Sequence, residues 1–452
     1  MNGIERRLPG IPLLLVLLGL AAASAAEAFC GFYVAKGDEQ LFNHASKVVV
    51  ARDGDRTVVT MASDFRGDPT EFAVVVPVPV VLARGQIHIG DSTAVDHLDK
   101  YSVPRLVEYW DSNPCPTPGI DVRGQVKTSI RKKDSSTRGG DSANLLSIRI
   151  EARYKVDEYD ILILSATEGR SLGAWLRSNG YRTPPGAESV LASYIRQGMF
   201  FFVAKVDLKE QRRLGFSYIR PIQVAFESPK FMLPIRLGMV NADGTQDMLV
   251  FTLTRRGRVE TTNYRSVRLP TDLDVPEYLK GDFPAFCEAM FRHQWATEGQ
   301  GVVFLEYAWG ILPNVQACDP CSAPVLRPDM LRGLGATWIA ADGSGSEGAF
   351  LTRLHVRYDA RHFPEDLQFQ ETSDRTLYQV RYAIHHPYRG PEECPERADY
   401  LRTVRDRRSQ EASNAAALTG DALQAVRQRM GVDDDWAEPG ESLHWWERIW
   451  KQ

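Results

Sequence analysis

The chain has 452 residues, of which 43% are hydrophobic and 25% charged, and a formal net charge of −4. Those values belong to a folded globular protein and exclude collagen, coiled coil and wholesale disorder. A mildly acidic chain lacks the positive field that nucleic-acid binding exploits, so that class is set aside. The length predicts two or three domains.

Arg6 and Arg7 precede an apolar run, Ile11 to Leu20, interrupted by Pro12 and Gly19, and Ala-rich sequence follows. Ala26-Glu27-Ala28 fits the small-x-small cleavage pattern, so residues 1–28 read as a signal peptide cut near Ala28. The run is too short to span a membrane, which takes roughly 20 residues. Phe29 is too large to precede a lipidated cysteine, which argues against an anchor at Cys30. The expectation is an exported protein, periplasmic or extracellular, with no transmembrane span in the mature chain.

Two β-branched runs flank Asp53-Gly54-Asp55, which predicts a β-hairpin. Glu71 to Val81 reads as a strand, and Pro77 and Pro79 make it an edge strand or one leaving its sheet. Asp91 to Tyr109 reads as helix, capped by Asp91 or Ser92 and split in two by Pro104. Gly124 to Ala143 is polar and reads as a mobile loop. Leu146 to Ala152 alternates as a strand does, and Tyr159 to Leu164 is continuously apolar, as in a strand buried on both faces. Ser171 to Asn179 and Pro185 to Gln197 read as helices closed by Gly180 and Gly198. Met199 to Val206 follows as a core strand.

Ile222 to Phe226, Met232 to Val240 and Met248 to Thr254 read as further strands. Phe283 to Trp295 is a helix carrying Cys287. Val302 to Trp309, Phe350 to Tyr358 and Thr376 to Ile384 complete the strand set. Beyond Pro395 two charged helices are expected, then a short one with an aromatic stripe through Trp446 and Trp450. That stripe suits docking onto the protein or a peripheral contact with a membrane interface or partner. The predicted class is α+β: a twisted, mainly antiparallel β core in two lobes (29–212 and 213–394), peripheral helices, and a charged helical C-terminal tail (395–452).

Six cysteines, Cys30, Cys115, Cys287, Cys318, Cys321 and Cys394, all fall after the signal segment. An even number in an oxidising compartment favours disulfides, and the sequence does not choose among the pairings. Cys318-Asp319-Pro320-Cys321 admits three readings: structural disulfides, a redox-active dithiol, or half a zinc site. Pro313, Pro320 and Pro324 around it read as loop, which favours the structural reading.

Several longer runs carry a resemblance: Phe29-Cys30-Gly31-Phe32-Tyr33-Val34-Ala35, Arg52 to Thr57, Glu71 to Pro79, Pro104 to Tyr109, Cys318 to Cys321, and Thr352 to Tyr358. The chain resembles the domain-of-unknown-function 2330 family over most of residues 29–390. The resemblance implies an exported bacterial protein and transfers no catalytic residue.

His-Glu-x-x-His and Gly-x-x-x-x-Gly-Lys-Ser/Thr motifs do not occur. His355, His385 and His386 are candidate metal ligands if strands bring them together, with Asp359, Glu365 or Asp366 completing the set. Cys30 invites a Cys–His hydrolase reading, which disulfide pairing outweighs. Asp272, Asp274 and Glu277 are oxygen donors matching no calcium-loop template. No cofactor is predicted. The leading expectation is a non-catalytic extracytoplasmic module binding a protein, glycan or envelope component. The alternative is an extracytoplasmic enzyme, either a thiol redox protein using Cys318 and Cys321 or a hydrolase without a recognisable motif.

Overall fold

The computed structural model describes residues 32–35, 42–66, 72–115, 148–213, 220–242, 244–313, 315, 323–344, 347–390 and 394–431. The signal segment, Cys30, the polar stretch 124–143, Cys318, Cys321, Trp446 and Trp450 lie outside the described residues.

After β1 (Phe32–Ala35), β2 (Phe42–Asp53) and β3 (Arg56–Arg66) form the expected hairpin, with Gly54 at φ +60° in its turn. β4 (Phe72–Val78) carries the proline pair. Among the described residues its ladder with β1 reaches Val75, whereas its ladder with β9 on the other side runs on through Pro77 to Val78. β5 (Ile87–Ile89) is followed by α1 (Ser92–Ser102), whose first turn Asp91 caps by accepting from the Thr93 amide at 2.8 Å. The second helix expected after Pro104 is instead a strand, β6 (Arg105–Trp110). Pro104 ends the helix, and the extended chain beyond it finds a parallel partner late in the sequence.

β7 (Arg149–Val156), β8 (Tyr159–Ser165), α2 (Gly169–Ser178), α3 (Ala187–Arg196), β9 (Phe200–Val206) and α4 (Leu208–Arg213) come next. Strands β1-β4-β9-β8-β7 form an antiparallel sheet in that order. β8 lies between two neighbours, and Ile161, Leu162, Ile163 and Leu164 are all buried, as a continuous apolar run requires. Leu172, Leu176, Leu191 and Tyr194 from α2 and α3 cover one side of this sheet.

The rest of the chain supplies β10 (Ile222–Glu227), β11 (Met232–Leu233), β12 (Gln246–Thr254), β13 (Val259–Thr261), β14 (Arg265–Arg268) and β15 (Leu273–Asp274). α5 (Phe283–Glu298), β16 (Val302–Ile311), α6 (Pro328–Gly333), β17 (Ala349–Tyr358), β18 (Leu367–Glu371), β19 (Tyr378–Gln379) and β20 (Arg381–His386) follow, then α7 (Pro395–Thr419) and α8 (Leu423–Arg429). The strand expected over 232–240 is only two residues long. The apolar run continues as buried coil and a short 3₁₀ turn, Gly238–Asn241.

The largest sheet runs β14-β16-β17-β12-β2-β3-β10-β5, with β19 paired to β16. The chain division expected at 212 therefore does not separate the sheets. The early hairpin β2–β3 sits in the middle of this sheet, between β12 and β10. A smaller sheet, β15-β20-β6, is parallel throughout. The charged stretch after 395 docks on the body. Val404, Ala412, Ala415 and Leu418 of α7 are buried, and a Cys115–Cys394 disulfide ties the segment after β6 to its N-terminus. Among the described cysteines Cys287 is the free thiol, half-buried on α5. No described helix is long and apolar enough to cross a membrane.

Gly335 packs against the outer side of the central hairpin. Its φ is +102°, and a Cβ there would come within 2.6 Å of the Val58 Cβ and 3.0 Å of the Ala51 Cβ. Gly335→Ala combines backbone strain with overpacking and is expected to cost about 2–4 kcal/mol. Urea denaturation checks this: the midpoint falls while the slope stays unchanged.

Candidate functional site

β17 places Arg353, His355 and Arg357 at alternate positions, so all three project to one side of a strand that is buried along its length. A buried cation without a counter-charge is expensive, and each of these three meets a carboxylate. Arg353 Nε donates to Glu306 Oε2 at 2.5 Å, and its Nη1 donates to Asp99 on α1. His355 Nδ1 lies 2.8 Å from Glu306 Oε1, and its Nε2 lies 3.5 Å from Asp247. Arg357 holds Asp247 with two bonds, at 2.7 and 2.5 Å. Lys47 of β2 closes the far end on Asp99 and Asp96, at 2.8 and 2.9 Å.

The result is an alternating chain, Asp96–Lys47–Asp99–Arg353–Glu306–His355–Asp247–Arg357. Glu306 reaches two cations because the β16–β17 register shifts between Leu305 and Tyr307, leaving Glu306 as the extra residue. The His355 ring also stacks on Phe291 of α5, centroids 3.7 Å apart. Burial alone would raise the carboxyls of Glu306 and Asp247, but the adjacent Arg and His side chains hold both at about 2. Burial would likewise lower His355, yet Glu306 and Asp247 raise it to about 9, so it is a cation at neutral pH. Burial pushes the nearby Cys287 thiol up to about 12, aided by Glu306, so it is not a thiolate nucleophile.

The candidate histidines do not converge. His355 lies on β17, between β12 and β16, whereas His385 and His386 lie on β20, between β15 and β6. Among the described residues no group of three His, Cys, Asp or Glu could hold a metal. Asp359 bonds His362, and Asp366 accepts from Tyr194 Oη and the Ile235 amide. Asn263 reaches Glu365 at 3.5 Å. Asp272, Asp274 and Glu277 face Arg381, His385 and His386, respectively.

A second cluster lies at the C-terminal end of the parallel sheet, where ligands of open α/β sheets commonly bind. Tyr109 is in register with His385, and Trp110 with His386. Successive residues alternate sides, so the two pairs flank the sheet end. Trp110 stacks on His386 at 4.8 Å between centroids and is still 69% exposed. Tyr109 lies 5.2 Å from His385 and is 43% exposed. His386 Nε2 bonds Glu108 at 2.7 Å, and Lys280 reaches the same carboxylate at 2.8 Å. On the other side Asp111 accepts from Tyr400 and Arg407 of α7, both at 2.7 Å. Burial would raise Asp111, but those two donors hold it low. Glu411, also beside Arg407, is raised to about 7 by burial and by the Asp274 and Asp111 carboxylates. Exposed aromatic faces ringed by carboxylates and imidazoles can stack on a ligand and accept its hydrogen bonds. Sequence reasoning found His385 and His386 but missed Tyr109, Trp110 and Asp111. The adjacent aromatic pair before Asn113-Pro114-Cys115 was the available signal.

The charge chain sets a pH profile. His355 is raised on folding, so its contribution is complete below pH 6.5 and lost as pH rises through 9. Glu306 and Asp247 are lowered, so theirs is complete above about pH 4.5 and lost as pH falls toward 2. His355→Gln should cost about 3 kcal/mol near pH 6 and remove the decline in melting temperature between pH 7 and 10. Thermal melts of both proteins across pH 4–10 check this, and curves that stay parallel throughout would refute it.

Neither a curated protein nor a solved structure matches the chain. A family model described as "uncharacterized protein conserved in bacteria" matches residues 24–370, a stretch that contains β6 and the charge chain and ends before β20 and α7. The protein therefore belongs to that bacterial family, DUF2330.

Proposed function

We propose that this protein is an exported, non-catalytic binding module whose ligand is a glycan of the cell envelope, seated on the Tyr109–Trp110 end of the parallel sheet. The observation that carries the reading is the exposure of Trp110 at 69% while its ring is already oriented by stacking on His386. A large aromatic held open at the end of a strand presents a flat apolar face to whatever meets it there. The C–H face of a sugar ring is apolar and weakly positive, which suits the negative face of an indole. Sugar hydroxyls can donate to Glu108 and Glu277, beside the indole.

The binding reading is preferred to hydrolysis because of Glu411. The pair Asp111 and Glu411, one carboxyl held low and one raised, resembles an acid–base arrangement. Glu411 is only 5% exposed and faces Arg407, so its proton is not presented to a bound ligand. Export is supported by the Cys115–Cys394 bridge, which joins residues 279 apart in sequence and suits an oxidising compartment.

Two experiments test the reading. Purified protein should cosediment with isolated peptidoglycan sacculi, and Trp110→Ala should weaken this at least tenfold without lowering the melting temperature. Wild-type protein that stays in the supernatant with sacculi, or a variant that binds as before, rejects the glycan surface. For export, N-terminal sequencing of the protein made in a bacterial host should begin at Phe29 in the extracytoplasmic fraction. Cytoplasmic protein beginning at Met1 rejects it.

A further inference from the structure

On a different part of the molecule, an apolar cleft of about 170 Å³ opens between the five-stranded sheet and the largest sheet. Its floor is Val59 and Met61 of β3, Val76 and Val78 of β4, Val224 of β10 and Leu233 of β11, all buried. It is the main core opened to the surface. Four prolines, Pro77, Pro79, Pro229 and Pro234, form part of its wall. Proline has no N–H, so at these positions the wall carries no backbone donor that would require water. The Val76-Pro77-Val78-Pro79 run thus gains a role that strand pairing does not supply. Met61, Met199 and Met232 give the lining a deformable surface. Among the described residues the charged lining side chain is Lys230, exposed beside Ser228 and Pro229.

We infer that this cleft binds an aliphatic chain bearing an acidic head group, with the chain between the sheets and the anion at Lys230. A largely apolar space of this size admits organic guests, as an engineered cavity of about 150 Å³ binds benzene. The Lys230 ammonium at a mainly apolar cleft selects an anionic end over a neutral or cationic one. A free fatty acid and the acyl chain of an anionic lipid share this chemistry.

Calorimetric titration of the full-length mature chain with hexanoate, heptanoate and octanoate tests it. Affinity should rise roughly fourfold for each added CH₂ until the chain outgrows the cleft. Lys230→Glu, a change at an exposed position, should weaken octanoate at least tenfold and leave 1-octanol unchanged. Met61→Trp should abolish binding by filling the floor. Should that variant fail to fold, Val59→Phe with a native melting profile serves instead. Octanoate that does not bind at millimolar concentration, or affinities independent of chain length, overturn the inference. So does binding that survives a folded, filled cleft. Once octanoate binding is established, phosphatidylglycerol vesicles separate the sources. Displacement of bound octanoate assigns the chain to a membrane lipid, and its retention assigns a free acid.

Discussion

Three cations on one side of a buried strand impose a condition that the surrounding elements must meet together. Arg353, His355 and Arg357 leave water when β17 takes its place between β12 and β16. Desolvation of that size is tolerated only if each charge finds its partner in good geometry. The partners come from separate elements: Asp247 from β12, Glu306 from the irregular point in β16, and Asp99 from α1. Lys47 then brings in β2. A slip of one residue in any of these pairings would turn the charges onto the apolar side. Hydrophobic strands of similar pattern could pair in several registers, whereas the alternating chain fits one. Its contribution is therefore to specificity as much as to stability.

The same condition explains why the large sheet is built from both ends of the sequence. β2 pairs with β12 in parallel, and Val49, Ala51, Phe251 and Leu253 form a continuous buried layer on one face of the paired strands. Such pairing is distant in sequence, so the hairpin cannot complete its burial until the later strands arrive. That implies slow folding with an exposed apolar hairpin in the meantime. Lys47 and Arg52 lie within that hairpin, and a charge inside an otherwise apolar strand discourages premature pairing with other chains.

Much of this architecture was legible in the sequence where local chemistry decides the outcome. Asp53-Gly54-Asp55 specifies a turn by itself, and Gly180 and Gly198 close their helices at positive φ. Tyr159 to Leu164 announces burial on both faces without knowledge of its neighbours. Elsewhere the deciding partner is remote. Arg105 to Trp110 reads as helix until β20 is available to pair with it, and the apolar stretch after Met232 is buried coil, which periodicity cannot tell from strand. The histidines were visible as chemistry but not as geography, because nothing local says that β17 and β20 enter different sheets. Cys115 finds Cys394, and Cys287 stays a thiol, for the same reason: the choice among cysteines is made by the three-dimensional path.

The surface at the end of β6 is positioned by constraints that converge on it from both sides. α7 has a charged sequence, yet it buries Ala412, Ala415 and Leu418 against the body, and its N-terminus is fixed by the disulfide. Arg407 and Tyr400 then grip Asp111, one residue beyond Trp110. From the opposite side Lys280 holds Glu108 while His386 stacks under the indole. The exposed aromatics are thus presented on a strand whose backbone continues its ladder through the Asp111 amide to the His386 carbonyl. A ligand meeting such a surface does not have to order the protein first. The conformational entropy that weakens binding at mobile loops has already been lost in folding. That pre-organisation, rather than the number of contacts available, is what the strand supplies to the exposed tryptophan and tyrosine at its end.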